Sequence, residues 1–281
     1  MTRPVVALTI AGSDPSGGAG IQADLKTFSA LGVFGTSVIT ALTAQNTQGV
    51  TGIHVVPAPF VVEQLEALVS DVRLDAVKIG MLANAQVAEA VGTFLQAHPQ
   101  PIVVLDPVMV ATSGDRLVED DAVQAIRALL PLSSVVTPNL AEAGVLLDTA
   151  TAQNVAEMRS QAAALRLLGA SRVLLKGGHL EGGHLKDGHL EDGDEAVDVF
   201  AEGDAVVELR APRVRTVNTH GTGCTLSSAL AALRPQRESW TETAIDAKTW
   251  LTGALAAADV LQVGQGHGPV HHFHQMWSAS R

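Results

Sequence analysis

A turn near the end of the chain has the residue types of an anion-binding site. Residues 218–224 read Asn-Thr-His-Gly-Thr-Gly-Cys and run into a series of helix formers. Gly221 and Gly223 flank Thr222 where this helix is predicted to begin, so free backbone N–H groups would lie at its positive end. Cys224, the only cysteine, sits in the first turn, where the dipole favours a thiolate. Taken alone, the segment is compatible with an anion site, a cysteine hydrolase or a redox sensor.

Four further polar residues stand next to strand-like runs. Asp106 follows one such run and Lys176 ends another. A lysine beside small residues can reach a phosphate, although a solvated lysine accounts for the pattern equally well. Asn139 and Glu142, three residues apart at a predicted helix start, are typical of a capping box. The alternative for Glu142 is a carboxylate that holds a hydrated magnesium ion, and both interpretations stay open.

A glycine-rich loop, 12–20, follows the first strand-like run. The spacing from Gly12 to Gly17 matches the glycines of a P-loop, but Gly18 and Ala19 stand where a lysine and a hydroxyl residue must reach phosphate and magnesium. A dinucleotide fingerprint cannot be written across the loop either. Its small residues would let the backbone lie against a flat small molecule, with a purely structural turn as the alternative.

Three more residues at predicted strand ends have the chemistry of a binding pocket. Gln45 carries a carboxamide, whose donor and acceptor suit an aminopyrimidine edge, although a polar residue capping a strand end is an equal alternative. Met81 and Val108 would supply apolar walls, and a lone methionine is more often a filler of the core. These residues add a candidate small-molecule site to the candidate anion site.

The elements that must position these residues alternate between strand and helix. Short apolar runs and segments of helical spacing follow one another without a disordered linker, which predicts an α/β fold with a mainly parallel sheet and a single domain over 1–281. Ligands of open α/β sheets bind at the carboxyl ends of the strands, where the candidates converge. The predicted strands are 4–10, 37–44, 76–79, 102–105, 134–137, 172–176, 196–201 and 206–211, and the predicted helices 21–31, 59–72, 84–97, 118–130, 139–147, 155–168, one from 222 and 241–261.

Composition narrows the class of protein. With 281 residues, of which 47% are hydrophobic, the chain can bury a large core. A formal net charge of −11 argues against nucleic-acid or membrane partners, and any phosphate must therefore be held by a local device. No run approaches the length of a spanning helix, no cleavage site precedes the first strand, and one cysteine suits a reducing compartment. We therefore expect a cytoplasmic protein.

A tandem pentapeptide repeat interrupts the α/β pattern in the segment 178–194. Its units begin Gly-His-Leu, and they place His179, His184 and His189 five residues apart. Such a spacing on a glycine-rich chain sets no ligand geometry, so we interpret the segment as a surface loop expanded by duplication, with a histidine metal site as the alternative.

Taken together, the motifs identify a family. Residues 11–27, 38–47, 78–82, 105–109, 137–139, 176–179 and 218–225 resemble the hydroxymethylpyrimidine/phosphomethylpyrimidine kinases of thiamine biosynthesis, in the ribokinase-like superfamily. The resemblance implies a three-layer αβα sandwich and ATP-dependent, magnesium-assisted phosphorylation of 4-amino-5-hydroxymethyl-2-methylpyrimidine, then of its monophosphate. It also implies a homodimer. A pyridoxal kinase of the same superfamily and a non-catalytic pyrimidine-binding protein are the alternatives.

The resemblance implies a role for each matched residue. Gln45 corresponds to the pyrimidine-recognising glutamine, Glu142 to a residue that organises magnesium through water, and Cys224 stands where the wider superfamily has a carboxylate general base. The pocket lining corresponds to Gly12, Ala19, Met81 and Val108, the anion hole to Gly221, Thr222, Gly223 and Cys224, and the phosphate and nucleotide contacts to Asp106, Asn139, Lys176 and Thr222, with Asp106 also near the metal.

Overall fold

A computed structural model describes residues 3–109, 120–178 and 195–277. Its main feature is an eight-stranded sheet with strand order β10-β9-β8-β7-β6-β5-β1-β2. The strands of this sheet are β1 (Val6–Ala11), β2 (Phe34–Ile39), β5 (Ala76–Ile79), β6 (Val103–Leu105), β7 (Val135–Val136), β8 (Arg172–Leu175), β9 (Glu195–Glu202) and β10 (Ala205–Pro212), and a separate two-stranded sheet consists of β3 (Ala41–Asn46) and β4 (Gly49–Val55).

All neighbours from β2 to β8 pair in parallel, and only β9 runs against its two neighbours. The central strands are short, and every residue of β5 and β6 is buried; apart from Lys78, all of these residues are apolar. Such strands need helices on both sides of the sheet. The predicted mainly parallel sheet is therefore confirmed.

Eight α-helices cover the sheet in the described part of the chain. They are α1 (Gly20–Ala30), α2 (Ala58–Val69), α3 (Ala85–Ala97), α4 (Asp120–Leu129), α5 (Leu140–Leu147), α6 (Val155–Leu167), α7 (Thr222–Leu233) and α8 (Trp240–Ala256). Local sequence marks several of their starts. The side chains of Asn84, Asn154 and Ser239, for example, accept hydrogen bonds from the first turns of α3, α6 and α8.

Two separate cores confirm the three-layer arrangement. One core packs α2 to α6 on one face of the sheet, and Leu65, Val91 and Leu146 belong to it. The other packs α1, α7 and α8 on the opposite face, with Phe28, Leu230 and Trp250. The fold thus presents the carboxyl ends of its parallel strands between two helical layers. Across the described residues, no helix is long and apolar enough to cross a membrane.

The predicted single strand 37–44 is wrong. The chain leaves the main sheet at Thr40, and the hairpin of β3 and β4 continues as its own sheet. Thr40 donates from its hydroxyl to the Met81 carbonyl, which anchors the departure point. The strand pattern of residues 37–46 is continuous in sequence, so the change of sheet depends on contacts with distant residues rather than on local signals.

Candidate active site

The turn before α7 has the backbone geometry of an anion site. Gly221 has a φ of 78°, and a Cβ at this position would lie 1.8 Å from the carbonyl oxygen of Gly18. Only glycine fits there. In the first turn that follows, the N–H groups of Gly223 and Cys224 have no partner within the helix, because an α-helix leaves its first donors free. The structure thus gives the turn the left-handed glycine and the helix start that the sequence predicted.

The hydroxyl of Thr222 forms a hydrogen bond within the turn. It donates to the carbonyl of Thr219 at 2.6 Å, and the N–H of Thr222 donates to the same oxygen at 3.2 Å. These bonds hold the start of α7 in place. The oxygen of the Thr222 hydroxyl keeps a lone pair but has committed its hydrogen, so any bond that Thr222 gives to a phosphate has to compete with this turn.

Lys176 and Asp106 form a buried ion pair beside the turn. Lys176 Nζ lies 2.7 Å from Asp106 Oδ1 and 3.8 Å from Glu142 Oε2. The carboxylate also accepts hydrogen bonds from Thr137 at 3.1 Å and Ser227 at 3.2 Å. Although burial alone raises the pKa of Asp106, Lys176 and Lys78 hold it below its usual value. The pKa of Lys176 is raised, since the two carboxylates outweigh burial.

These groups face the start of α7. A Cβ built on Gly223 would lie 3.2 Å from Lys176 Nζ and 3.8 Å from Asp106 Oδ2. A side chain at position 223 would therefore occupy the space between the lysine and the helix end. The glycine leaves an ammonium and free N–H groups around one small volume, and such groups are the ones that proteins commonly use to bind phosphate.

Asn139 and Glu142 form the predicted capping box. The Glu142 backbone donates to Asn139 Oδ1 at 2.8 Å, and the Asn139 backbone donates to Glu142 Oε2 at 2.7 Å. The capping interpretation is confirmed. Burial, with the charge of Asp106 added, raises the pKa of Glu142 to about 7 even though Lys176 opposes this shift. Lys176 also bridges to the same segment, because its N–H donates to the Pro138 carbonyl at 2.9 Å.

The donor set suits a magnesium ion that is shared with phosphates. No group of three or more His, Cys, Asp or Glu in the described ranges could hold a metal by itself. Magnesium, however, commonly uses one or two carboxylates, substrate phosphates and several waters. Glu142 is a buried carboxyl whose pKa of about 7 would fall beside a cation, and the Asp106 carboxylate lies within the same cluster. The residues present therefore fit the expected ion.

On the other side of the turn, the glycine-rich loop meets Met81. A Cβ on Gly12 would lie 2.4 Å from Met81 Cε, so the two residues line the same space. Ala19 lies against the anion turn, since a Cβ on Gly221 would come within 3.2 Å of the Ala19 Cα. Val108 is half-buried two residues beyond Asp106, and its N–H donates to the Asp106 carbonyl. The residues of the predicted pocket border the turn.

Gln45 reaches the site from the hairpin and not from the end of a main-sheet strand as predicted. It lies in β3, next to an irregularity of the pairing between Ala44 and Gln45. Its side-chain nitrogen lies 3.4 Å from Nε2 of His220, the residue before the turn. The structure thus brings Gln45 next to the turn, although the sequence placed it on the wrong element.

The predicted thiolate at Cys224 is wrong. Burial raises the pKa of the thiol to about 11, although Lys78 and a hydrogen bond from the Gly20 backbone act in the opposite direction. The sequence argument considered the helix dipole only. It did not include the partial burial of the Cys224 side chain or the negative charges of Asp24 and Asp106, all of which disfavour the thiolate. Cys224 is a neutral thiol near pH 7.

A buried ion pair behind Cys224 was missed by the sequence analysis. Lys78 and Asp24 are both fully buried and lie 2.9 Å apart. Thr9 and Ser228 each donate to the Asp24 carboxylate at 2.6 Å. The charge of Asp24 raises the pKa of Lys78 although burial opposes it. The available signal was a lysine inside an otherwise apolar central strand, which requires a buried partner.

The comparisons with known proteins agree with this geometry. The family described as phosphomethylpyrimidine kinase matches residues 14–271. A hydroxymethylpyrimidine/phosphomethylpyrimidine kinase of Salmonella typhimurium is 55% identical over 96% of this chain and 98% of its own length. The chain belongs to the phosphomethylpyrimidine kinase family. A thiamine biosynthesis bifunctional protein of Geobacter sulfurreducens is 46% identical over 94% of this chain and 51% of its own length.

A solved structure supports the fold of this phosphomethylpyrimidine kinase family member. The pyridoxal kinase of Staphylococcus aureus, in complex with ADP, superposes with a TM-score of 0.86 at 31% identity, covering 98% of this chain and 96% of that one. The predicted ribokinase-like architecture is confirmed. The histidines of the 178–194 repeat, and with them the choice between a duplicated loop and a metal site, lie outside the described residues.

Proposed function

We propose that this chain transfers a phosphoryl group from ATP to the hydroxymethyl oxygen of 4-amino-5-hydroxymethyl-2-methylpyrimidine, and then a second one to the monophosphate. Membership of the phosphomethylpyrimidine kinase family supports the activity and its place in thiamine biosynthesis. The single observation that carries the proposal is the position of the 221–224 turn. It lies between the Lys176–Asp106 pair on one side and the loop of Gly12, with Gln45, on the other.

In this proposal the pocket side of the turn binds the pyrimidine. The Gln45 carboxamide reads the amino group and a ring nitrogen, since it offers one acceptor and one donor. Gly12 and Ala19 let the backbone approach the ring, while Met81 and Val108 form its apolar walls. The hydroxymethyl group would then face the first turn of α7.

The phosphate side of the turn neutralises charge. The N–H groups of the 221–224 turn and the Lys176 ammonium bind the transferred group, while Asp106, Asn139 and Thr222 contact or order the phosphates of ATP. Glu142, acting through water, and Asp106 would hold a magnesium ion. When bound, such an ion neutralises charge on the phosphates. The role of each residue is a proposal.

The chemical step follows from this arrangement. The substrate oxygen forms a bond to the γ-phosphorus, the bond from that phosphorus to the bridging oxygen breaks, and ADP leaves with the electron pair. The hydroxyl proton is lost late, because a loose transition state places little charge on the attacking oxygen. A neutral Cys224 therefore suffices as a positioned group that accepts a hydrogen bond from the substrate hydroxyl, and the hydroxyl proton leaves to an oxygen of the transferred phosphoryl group. No covalent enzyme intermediate is expected.

The alternative substrate class is pyridoxal and related pyridines. Its support is the S. aureus pyridoxal kinase, whose structure matches this chain at a TM-score of 0.86. Against it stands the Salmonella relative, whose identity of 55% far exceeds the 31% of the pyridoxal kinase. A non-catalytic pyrimidine-binding protein is disfavoured, because Lys176, Glu142 and the glycine turn are all present.

A coupled assay of ADP release tests the proposal. Purified protein, ATP and magnesium are combined with the hydroxymethylpyrimidine, its monophosphate or pyridoxal in parallel. We expect both pyrimidines to be phosphorylated, with a kcat/KM that exceeds the value for pyridoxal. The absence of turnover with both pyrimidines would reject the proposal, and turnover with pyridoxal alone would establish the alternative.

We also propose that the 281 residues form one kinase domain and act as a homodimer in the cytoplasm. Large apolar side chains on and near the hairpin support self-association, because contiguous exposed apolar surface commonly marks an interface. These side chains are Phe34, Leu42, Val50, Ile53 and Phe60, which are 40–60% exposed. Light scattering during size-exclusion chromatography would give the mass, and a monomer of 29.1 kDa would contradict the dimer.

A further inference from the structure

The imidazole of His220 links the glycine-rich loop to Gln45. His220 directly precedes the anion turn, is 9% exposed, and forms a bridge with Pro269 through its backbone. Its Nε2 lies 2.8 Å from Asp14 Oδ2 and 3.4 Å from the side-chain nitrogen of Gln45. One ring nitrogen thus faces both a buried carboxylate and the carboxamide assigned to the pyrimidine.

The surroundings of Asp14 decide where the His220 proton lies. The Asp14 carboxylate accepts hydrogen bonds from the N–H groups of Ser16, Gly18 and Ala19 at 2.8, 3.1 and 2.8 Å, and from the Ser16 hydroxyl at 2.7 Å. Burial raises its pKa, but the hydrogen bonds from His220, Ser16 and Ala19 bring it to about 2. An ionised carboxylate only accepts, so the proton lies on His220 Nε2, which donates to Asp14.

This proton decides the orientation of the Gln45 amide. If the Gln45 nitrogen faced His220 Nε2–H, two donors would meet. On the opposite side, Thr43 Oγ1 lies 2.8 Å from the Ser13 carbonyl and 3.1 Å from the other amide atom of Gln45. The single hydroxyl hydrogen of Thr43 goes to Ser13, so its oxygen is left to accept. With the amide turned by 180°, Gln45 Nε2 donates to Thr43 Oγ1, and Gln45 Oε1 faces the Nε2–H of His220 as the weaker acceptor of a bifurcated bond whose main acceptor is Asp14, so that no two donors meet.

We propose that His220, held by Asp14, is a positioning residue that fixes the Gln45 carboxamide in this orientation. It thereby determines which amide atom faces the amino group of the pyrimidine and which faces the ring nitrogen. The inference rests on the proposed function. The oxygen on the His220 side accepts from the 4-amino group, and the nitrogen on the Thr43 side donates to a ring nitrogen. The amino and hydroxymethyl groups occupy adjacent carbons, so this orientation turns the hydroxymethyl group toward Gly221, the residue after His220.

The test compares two substrates in three variants. The substrates are the hydroxymethylpyrimidine and its analogue without the 4-amino group. In His220→Leu we expect the preference for the amino substrate to fall by about tenfold or more, mainly through KM, because the fixed acceptor is lost. His220→Gln keeps an N–H donor and should retain part of the preference. His54→Leu, the same change at an exposed position of β4, should leave it unaltered.

An equal loss of activity on both substrates in His220→Leu would mean that His220 only supports the structure of the loop. This result would overturn the inference. An unchanged preference would overturn it as well. If the wild-type protein phosphorylated neither pyrimidine, the proposed function itself would be wrong. The proposed orientation of the pyrimidine on Gln45 would then be wrong as well.

A measurement that does not depend on turnover tests directly which ring nitrogen of His220 carries the proton. In ¹⁵N spectra of the histidine rings, we expect the His220 signal, assigned by its absence in His220→Gln, to show a protonated Nε2 at pH 7.5. A ring protonated on Nδ1 alone would overturn the orientation of Gln45, whatever the activity. Thermal unfolding of each variant shows whether it is folded.

Discussion

The ammonium of Lys176 lies 2.7 Å from Oδ1 of Asp106, and the pair borders the first turn of α7. The Asp106 side chain is 1% exposed and the Lys176 side chain 15%. Burying two charges is costly unless they are paired and hydrogen-bonded. Here the hydroxyls of Thr137 and Ser227 donate further hydrogen bonds to the Asp106 carboxylate. The arrangement holds a buried, charge-compensated cation beside the free N–H groups of a helix start.

Lys176→Met should impair catalysis more than folding. Removing the ammonium takes away charge stabilisation of the transferred group, for which we expect kcat/KM to fall by about 100-fold or more. The variant also leaves Asp106 buried without its cation, which should cost roughly 3 kcal/mol of unfolding free energy. Steady-state kinetics and urea unfolding measure the two effects, with Lys176→Arg as the charge-conserving control. A kcat/KM near that of the wild type in Lys176→Met would remove the lysine from the proposed site.

Glu142 should make stability depend on pH. Its pKa rises from an ordinary 4.5 to about 7, so between these values the folded protein keeps a proton that the unfolded chain has lost. The unfolding free energy contributed by Glu142 is therefore highest below pH 4.5 and falls as the pH rises toward 7, by at most roughly 3 kcal/mol.

Glu142→Gln should abolish this pH dependence of the unfolding free energy while keeping an acceptor for the capping box. We expect the variant to gain stability relative to the wild type as the pH rises from 5 to 7.5, as measured by urea unfolding at each pH. A constant difference across this range would show that the Glu142 carboxyl is already ionised at pH 5.

Cys224→Ser should lower kcat more than it raises the KM for the pyrimidine. The serine oxygen is smaller and less polarisable than sulfur, and we expect a decrease in kcat of about tenfold. Because the thiol pKa is raised to about 11, the wild-type kcat should not rise through a thiol titration between pH 7 and 9. A tenfold rise for each pH unit in this range would instead identify the thiolate as an obligatory base.

Gly221→Ala should be much more damaging than Gly32→Ala. Both glycines have a left-handed φ, 78° and 74°, so both variants carry a backbone strain of about 1–2 kcal/mol. Around Gly32 nothing lies within 4 Å, whereas a Cβ on Gly221 would lie 1.8 Å from the Gly18 carbonyl oxygen. We expect Gly32→Ala to remain active and Gly221→Ala to lose activity and several further degrees of melting temperature. Equal effects would mean that the turn tolerates displacement.

Much of the fold followed from local patterns. The apolar runs of β1, β5 and β6, the start of α3, the capped start of α5 and the glycine turn before α7 were all predicted within a residue or two. Local chemistry determines such features: buried strands must be apolar, helix starts need acceptors, and a left-handed turn needs glycine. The hairpin was missed because its first strand continues the pattern of β2, and the two are separated by contacts with distant residues, among them Ser13 and Met81.

The sequence by itself determined the α/β class, the anion turn and the set of candidate residues, because spacing and residue type express these directly. Only the tertiary structure decided how the groups affect one another. The partly buried Cys224 is a neutral thiol, Lys78 pairs with Asp24, 54 positions away in the chain, and His220 contacts both Asp14 and Gln45. Protonation and amide orientation depend on burial and on neighbours brought together by folding, which no local pattern contains.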